Sequence, residues 1–184
     1  MSEWALIQWS QARQITQTMG IKDAQAPAAG ITPGQHFASL VAADRLPDAV
    51  QFLAHALPRY EAVQWAANAM GRLRPAADRD LDEARAFDTA HQWLRDPDER
   101  LRRTAESLAE AMEEPVPEKL LLQAIFLSGG SIAPEDLPPV HPRPDTAAKL
   151  AGAAILLAAF ATPEPQNALK QVLQDGEKLA TRVS

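Results

Sequence analysis

Cysteine is absent from the 184 residues. That absence excludes a disulfide framework, a thiolate nucleophile and cysteine-ligated zinc or iron–sulfur centres. Aromatic residues are scarce, at 5%, with a single tyrosine. Positive charge is in the minority, because 18 Lys and Arg face 24 Asp and Glu for a formal net charge of -6. A nucleic-acid partner needs a basic field, so this balance argues against one. The only tight basic cluster, Arg100, Arg102 and Arg103, lies among Asp98, Glu99 and Glu106 and reads as a solvated, ion-paired helix face.

Long apolar runs are also missing. An uncharged, Ala-rich stretch at residues 150–163 has an apolar core that ends at Ala161. It falls short of the roughly 20 apolar residues that span a bilayer, so a buried central helix is expected and membrane insertion is not. Met1-Ser2-Glu3-Trp4 carries neither a basic n-region nor an apolar h-region. No secretory leader is expected on that ground, and the cytoplasm is the expected compartment.

What remains is enough to fold. Hydrophobic residues make up 46% of a chain long enough to bury one core. Fifteen prolines punctuate it, many where a helix would begin, since the first helical amide lacks an intrahelical partner anyway. Asp96-Pro97-Asp98-Glu99 reads as a cap at Asp96 with Glu99 completing a capping box. Thr32-Pro33-Gly34-Gln35 and Thr162-Pro163-Glu164 follow the same logic, and Asp80 with Glu83 caps a helix without proline. Leu101, Ala105, Leu108 and Met112 form one amphipathic stripe, and Leu169, Val172, Leu173, Ala180 and Val183 form another. At Leu57-Pro58 one helix ends and the next begins.

These signals predict helices over 3–18, 34–45, 48–57, 59–73, 81–95, 98–113, 117–128, 145–161 and 164–182. No alternating β-branched run competes with them. The expected fold is all-α, a single domain built as a compact array of eight or nine antiparallel helices with short connections. Residues 120–127 and 147–161, apolar nearly all round, are expected to be the most buried. Trp65 and Trp93 are expected in the core, whereas Trp4 and Trp9 sit on a Gln-rich first helix that an exposed pair would turn into a protein contact. Residues 129–144 break the pattern, with five prolines and no helical period, and a loop this long inside a compact domain calls for a reason.

Apparent motifs mostly dissolve into packing and capping. The four histidines, 36, 55, 91 and 141, show no metal-ligand spacing, so neither metal nor cofactor is expected. Asp78, Asp80 and Asp82 open like a calcium loop, but Glu83 stands where glycine is needed and Thr89 where a bidentate Glu is needed. Ser128-Gly129-Gly130-Ser131 follows a helix with no lysine nearby, which suits a left-handed helix cap better than a phosphate cradle. No GxSxG surrounds Ser128 or Ser131, so no catalytic set is assigned. Pro139-Val140-His141-Pro142 is a PxxP, either a polyproline recognition element or a stiff crossover between buried helices.

Phe52-Leu53-Ala54-His55-Ala56-Leu57-Pro58-Arg59, followed by Glu61-Ala62-Val63 and Trp65-Ala66, resembles a signature of an uncharacterised family of bacterial proteins. Phe126-Leu127-Ser128-Gly129-Gly130-Ser131-Ile132-Ala133-Pro134, with Pro138-Pro139-Val140 and Pro142, resembles its second signature. The likeness spans about residues 48–160. Where that family often has two adjacent tryptophans, Gln64 precedes Trp65 here. That family has no established activity, so the resemblance carries over no catalytic role. It implies an accessory or adaptor protein, since some members are encoded near type VI secretion genes.

Both signatures fall on the two irregular places, so His55, Arg59 and Glu61 are expected near the Ser128–Ser131 turn. The candidate binding residues are His55, Arg59, Glu61, Ser128, Gly129, Gly130, Ser131, Pro138, Pro139 and His141. The leading expectation is a non-catalytic protein-interaction module with a protein partner, compatible with a homodimer. An immunity-like or chaperone-like protein that masks an effector is the second, because acidic charge suits a basic partner. A small-molecule binder or enzyme using the glycine turn and His55 is the third.

Overall fold

Proline and the capping residues set most of the helix boundaries. The computed structural model describes residues 4–134 and 136–182. Nine α-helices and no strands occur among the described residues: α1 (Ala12–Thr18), α2 (Pro33–Ala42), α3 (Leu46–Ala56), α4 (Arg59–Leu73), α5 (Leu81–Arg95), α6 (Glu99–Ala111), α7 (Pro117–Phe126), α8 (Thr146–Phe160) and α9 (Pro165–Ala180). Two capping boxes form as expected. Thr32 Oγ1 accepts from Gln35 N at 3.2 Å while Gln35 Oε1 accepts from Thr32 N at 2.9 Å. Asp80 Oδ1 accepts from Glu83 N at 2.8 Å, and Glu83 Oε2 accepts from Asp80 N at 3.1 Å. Pro58 stands between α3 and α4 as the N-cap of α4.

Two caps move. The cap of α6 is Asp98, whose Oδ1 accepts from Leu101 N at 2.5 Å, and Asp96 instead closes α5. Glu99 is thereby freed from capping and turns to Arg102 and Arg103. α9 starts at Pro165, and Thr162 Oγ1 donates back to Ala159 O at 2.7 Å rather than capping forward.

The N-terminal helix is the largest departure. Of the expected span 3–18 only Ala12–Thr18 is helical, and residue 3 lies outside the described residues. Leu6 N donates to Ala180 O at 3.1 Å, tying the segment to the end of α9. Trp4 is buried edge-on against Phe37, with ring centroids 5.2 Å apart, and rests on Gly34 of α2. A helix through residues 4–11 would withdraw the amide and the indole from those partners, so tertiary contacts override local propensity. Trp4 and Trp9 therefore part company: Trp4 joins the core and Trp9 is exposed.

The core centres on α8, which packs against α3, α4, α7 and α9. Ala147, Ala148, Ala151, Gly152, Ala154, Ala158 and Ala159 are all buried on it. Small side chains on several sides let four neighbours approach one axis closely. Larger residues fill the space between, and Phe52, Leu53, Leu121, Leu122 and Ile155 are fully enclosed, each contributing about 1.5–3 kcal/mol. Trp65 and Trp93 are buried as expected. One cluster of buried side chains runs from Trp4 to Ala180. No helix among the described residues is long and apolar enough to cross a membrane.

A charged knot sits inside this apolar frame. Glu118, in the first turn of α7, is 0% exposed and accepts from Arg79 Nε at 2.8 Å and from Arg74 Nη1. Arg74 also pairs with Glu83 at 3.1 Å, and the Arg79 guanidinium lies 3.8 Å over the Phe87 ring. The four side chains tie the link between α4 and α5 to α7. Glu118 also gains from the helix dipole at its N-terminal position.

α9 approaches α3 and α4 where it has Gly176. A Cβ there would lie 2.6 Å from both Leu53 Cδ2 and Trp65 Cε2. Trp65 is in turn held by Nε1 donating to Val172 O at 3.1 Å. Gly176→Ala gains up to about 1 kcal/mol in helix propensity but overpacks a fixed contact at roughly 1–3 kcal/mol. We expect net destabilisation of about 1 kcal/mol or more in urea unfolding; an unchanged or raised midpoint would contradict the close approach.

Candidate functional site

The loop after α7 is a folded body rather than a slack connection. Leu127 and Ser128 close α7, with Ser128 N donating to Ile125 O at 3.1 Å and Ser128 Oγ to the same carbonyl at 2.7 Å. The left-handed glycine is Gly130, at φ 67°. It stands beyond the helix end, at a turn, and Gly129 keeps a negative φ, so the expected glycine helix cap does not form. Ser131 Oγ accepts from Ala133 N and Val140 N, both at 3.1 Å. Ile132 N donates to Val140 O at 2.8 Å, and His141 Nδ1 lies 3.2 Å from Gly130 O. These bonds join residues 130–133 to residues 140 and 141.

Two arginines of α6 hold the base of this body. Arg102 is 4% exposed. Its Nη1 donates to Phe126 O at 2.5 Å and its Nη2 to Ser131 O at 2.7 Å. Arg103 Nη2 donates to Ser131 O at 2.8 Å and to Ala133 O at 2.6 Å. Glu99 orients both, through two bonds to Arg102 and one to Arg103; hydrogen bonding from Arg102, ahead of that from Arg103, holds its carboxyl below the usual glutamate range. A Cβ at Gly130 would meet Arg102 Nη2 at 2.9 Å, so glycine is required there for the approach as well as for φ. The expected solvated face at Arg100, Arg102 and Arg103 is thus corrected. Only Arg100 points to solvent, and the other two are buried or half-buried against backbone carbonyls.

The other candidates divide. Arg59, the first residue of α4, donates from Nη1 to Ser128 O at 3.2 Å, which brings the α3–α4 junction to the start of the loop. Glu61 makes no hydrogen bond or ion pair among the described residues and is not drawn to the turn by any. Pro138 and Pro139 are exposed at the tip. His55 sits in the last turn of α3, 8% exposed, and lines a cleft together with Pro144 and Asp145 at the far end of the loop.

There a cleft of about 500 Å³ opens between Gln8, Trp9, Thr18, residues 55–59, Pro144, Asp145 and Ala148. His55 Nδ1 lies 2.7 Å from Gln51 O, which fixes a proton on Nδ1 and leaves Nε2 as an acceptor. Burial pushes the His55 pKa down, against the opposing pull of the Gln51 carbonyl and Asp145. Sequence reasoning missed Arg102, Arg103 and Asp145. The first two were visible only as a charge cluster, and Asp145 carries no spacing signal.

Two outcomes test this geometry. Lysine cannot reproduce a fork spanning Glu99, Phe126 O and Ser131 O. Arg102→Lys should lower stability by about 1–3 kcal/mol and speed amide exchange at Ile132 and Val140; unchanged exchange there would contradict the clamp. Separately, burial lowers the pKa of His36, His55 and His91 below the ordinary histidine value of about 6.5. The unfolded chain then binds protons first, so stability is full above that value and falls as pH drops below it. Melting temperature should decline between pH 7.5 and 5.5, and a flat profile would contradict the burial of these rings.

A family model, described as a family of unknown function (DUF6931), matches residues 36–180. No curated protein and no solved structure matches the chain. The matched span runs from α2 through α9 and includes the whole loop with its Arg102 and Arg103 clamp, while the wall of the cleft formed by Gln8, Trp9 and Thr18 lies before it. The chain belongs to this family of unknown function.

Proposed function

We propose that the protein is a non-catalytic interaction module that docks a protein partner through the tip of the 129–144 loop. One observation carries the reading. The base of the loop is fixed by Arg102, Arg103 and Ser131, while Leu137 is 54% exposed and Val140 52% exposed at its tip. Pro138 and Pro139 separate these two apolar side chains and are themselves exposed. An apolar tip on a rigid, proline-bearing base loses little conformational entropy on association, which favours docking over a flexible loop of the same composition. The resemblance to bacterial proteins encoded near type VI secretion genes suggests an accessory or adaptor role in a secretion-related assembly, in the cytoplasm.

The test places a photo-crosslinking amino acid at position 137 of the full chain in its native host. A discrete crosslinked partner is expected. Val140→Asp should reduce that crosslink by about tenfold, corresponding to ~1.4 kcal/mol of docking energy, with helicity and melting temperature unchanged. No discrete crosslink, or one indifferent to Val140→Asp, would overturn the reading.

A further inference from the structure

The cleft beside His55 does not include the loop tip in its lining, and its acceptors outnumber their partners. His55 is almost fully enclosed, yet its Nε2 has no hydrogen-bond partner among the described residues, and no described buried polar side-chain atom is both sealed from solvent and unpaired. That nitrogen therefore opens to the cleft, as an acceptor. Asp145 adds a carboxylate. Its Oδ1 meets only the exposed Arg143, at 3.3 Å, and its Oδ2 has no partner among the described residues. Asp145 also makes no side-chain cap to α8, so its charge is not consumed by the helix it precedes. Trp9, 36% exposed, adds an indole to the same lining. Ala56, Leu57, Pro58, Pro144 and Ala148 supply an apolar lining.

Acceptor, carboxylate, aromatic face and methylene-sized lining together fit one chemistry. We propose that this cleft recognises an alkylammonium or guanidinium cation, with Asp145 and His55 Nε2 accepting its N–H groups and Trp9 covering its charge. An anion fits poorly, because the cation on the rim, Arg59, is already turned to Ser128 O and Asp145 would repel it. A metal ion fits poorly too. The cleft offers one imidazole and one carboxylate, and no cluster of three or more potential ligands occurs among the described residues. Lys149, which acts on His55 from α8, is exposed. With Arg59 it sets the two repulsive limits, so the cationic head belongs at Asp145 and its aliphatic stem along the apolar lining. The net charge of -6 favours the same sign of ligand at longer range. The Gln8, Trp9 and Thr18 wall precedes the matched family span, so the site belongs to this chain's own N-terminal segment and is independent of the loop tip's docking role.

Titration of the full chain with n-butylguanidine and n-butylamine, with 1-pentanol as the neutral analogue, tests the proposal by calorimetry. Both cations should bind saturably at millimolar level or better, and 1-pentanol should not. Asp145→Asn should weaken the cations by about tenfold or more with helicity intact, and His55→Leu should weaken them where His55→Gln, which restores an acceptor, does not. Absence of saturable binding by either cation up to about 50 mM, or binding untouched by Asp145→Asn, overturns it. A blocked Ala-Ala-Arg-Ala-Ala peptide separates the sources. Tighter binding than n-butylguanidine identifies a side chain of a partner protein, and equal or weaker binding identifies a free amine. Loss of the loop-tip crosslink at position 137 would leave these titrations unchanged.

Discussion

Close approach to α8 is the constraint on which the rest depends. Four helices share one axis as their neighbour because seven of its buried positions hold Ala or Gly. Such a core gains little area per residue, so the larger side chains must come from the partners. Phe52 and Leu53 on α3, Trp65 on α4 and Leu121 and Leu122 on α7 supply them. The same demand explains Gly176, since α9 can reach the layer of Leu53 and Trp65 only where it lacks a Cβ. Packing of this kind tolerates little added volume.

Helices crowded onto a short axis leave their connections to run outside, and the chain meets that cost differently at two of these links. The link between α4 and α5 is drawn inward by Glu118, with Arg74 and Arg79 satisfying its carboxylate. A buried charge left alone would be strongly destabilising, but here every oxygen has a guanidinium partner. The link between α7 and α8 stays outside and is fastened by its carbonyls. Arg102 and Arg103 take Phe126 O, Ser131 O and Ala133 O, groups that a helix or sheet would otherwise have paired. A loop of five prolines lacks many of its own donors, so outside donors suit it.

Much of the helical framework was legible because its signals are local. Thr32 with Gln35 and Asp80 with Glu83 act within one turn, and Pro58 breaks the chain where it stands. Asp98 in place of Asp96 shows the limit of that reading, since two acids flanking one proline are equivalent in sequence and differ only in which oxygen reaches Leu101 N. Long-range pairing was illegible. Arg102 and Arg103 sit among acids in a way that resembles any solvated helix face, and nothing in residues 98–106 records that the carbonyls of residues 126–133 lie across from them. The N-terminal segment failed for the same reason, because Leu6 pairs with Ala180 from the opposite end of the chain. At the candidate site, Arg59 with Ser128 could be anticipated from two irregular motifs, but Asp145 and Trp9 beside His55 could not.

The loop and the cleft are nevertheless parts of one construction. Residues 129–144 leave α7 under the arginine clamp and re-enter the fold at Asp145, which forms a wall of the cleft and begins α8. Arg59 reaches the first end at Ser128, and one turn earlier in the chain His55 lines the cleft at the other. The α3–α4 junction therefore touches both ends of the loop, and Pro58 keeps that junction short and stiff. Pro58 at the junction and the arginine clamp at the base therefore set the tip and the cleft on one packed frame, in which neither can be repacked without the other.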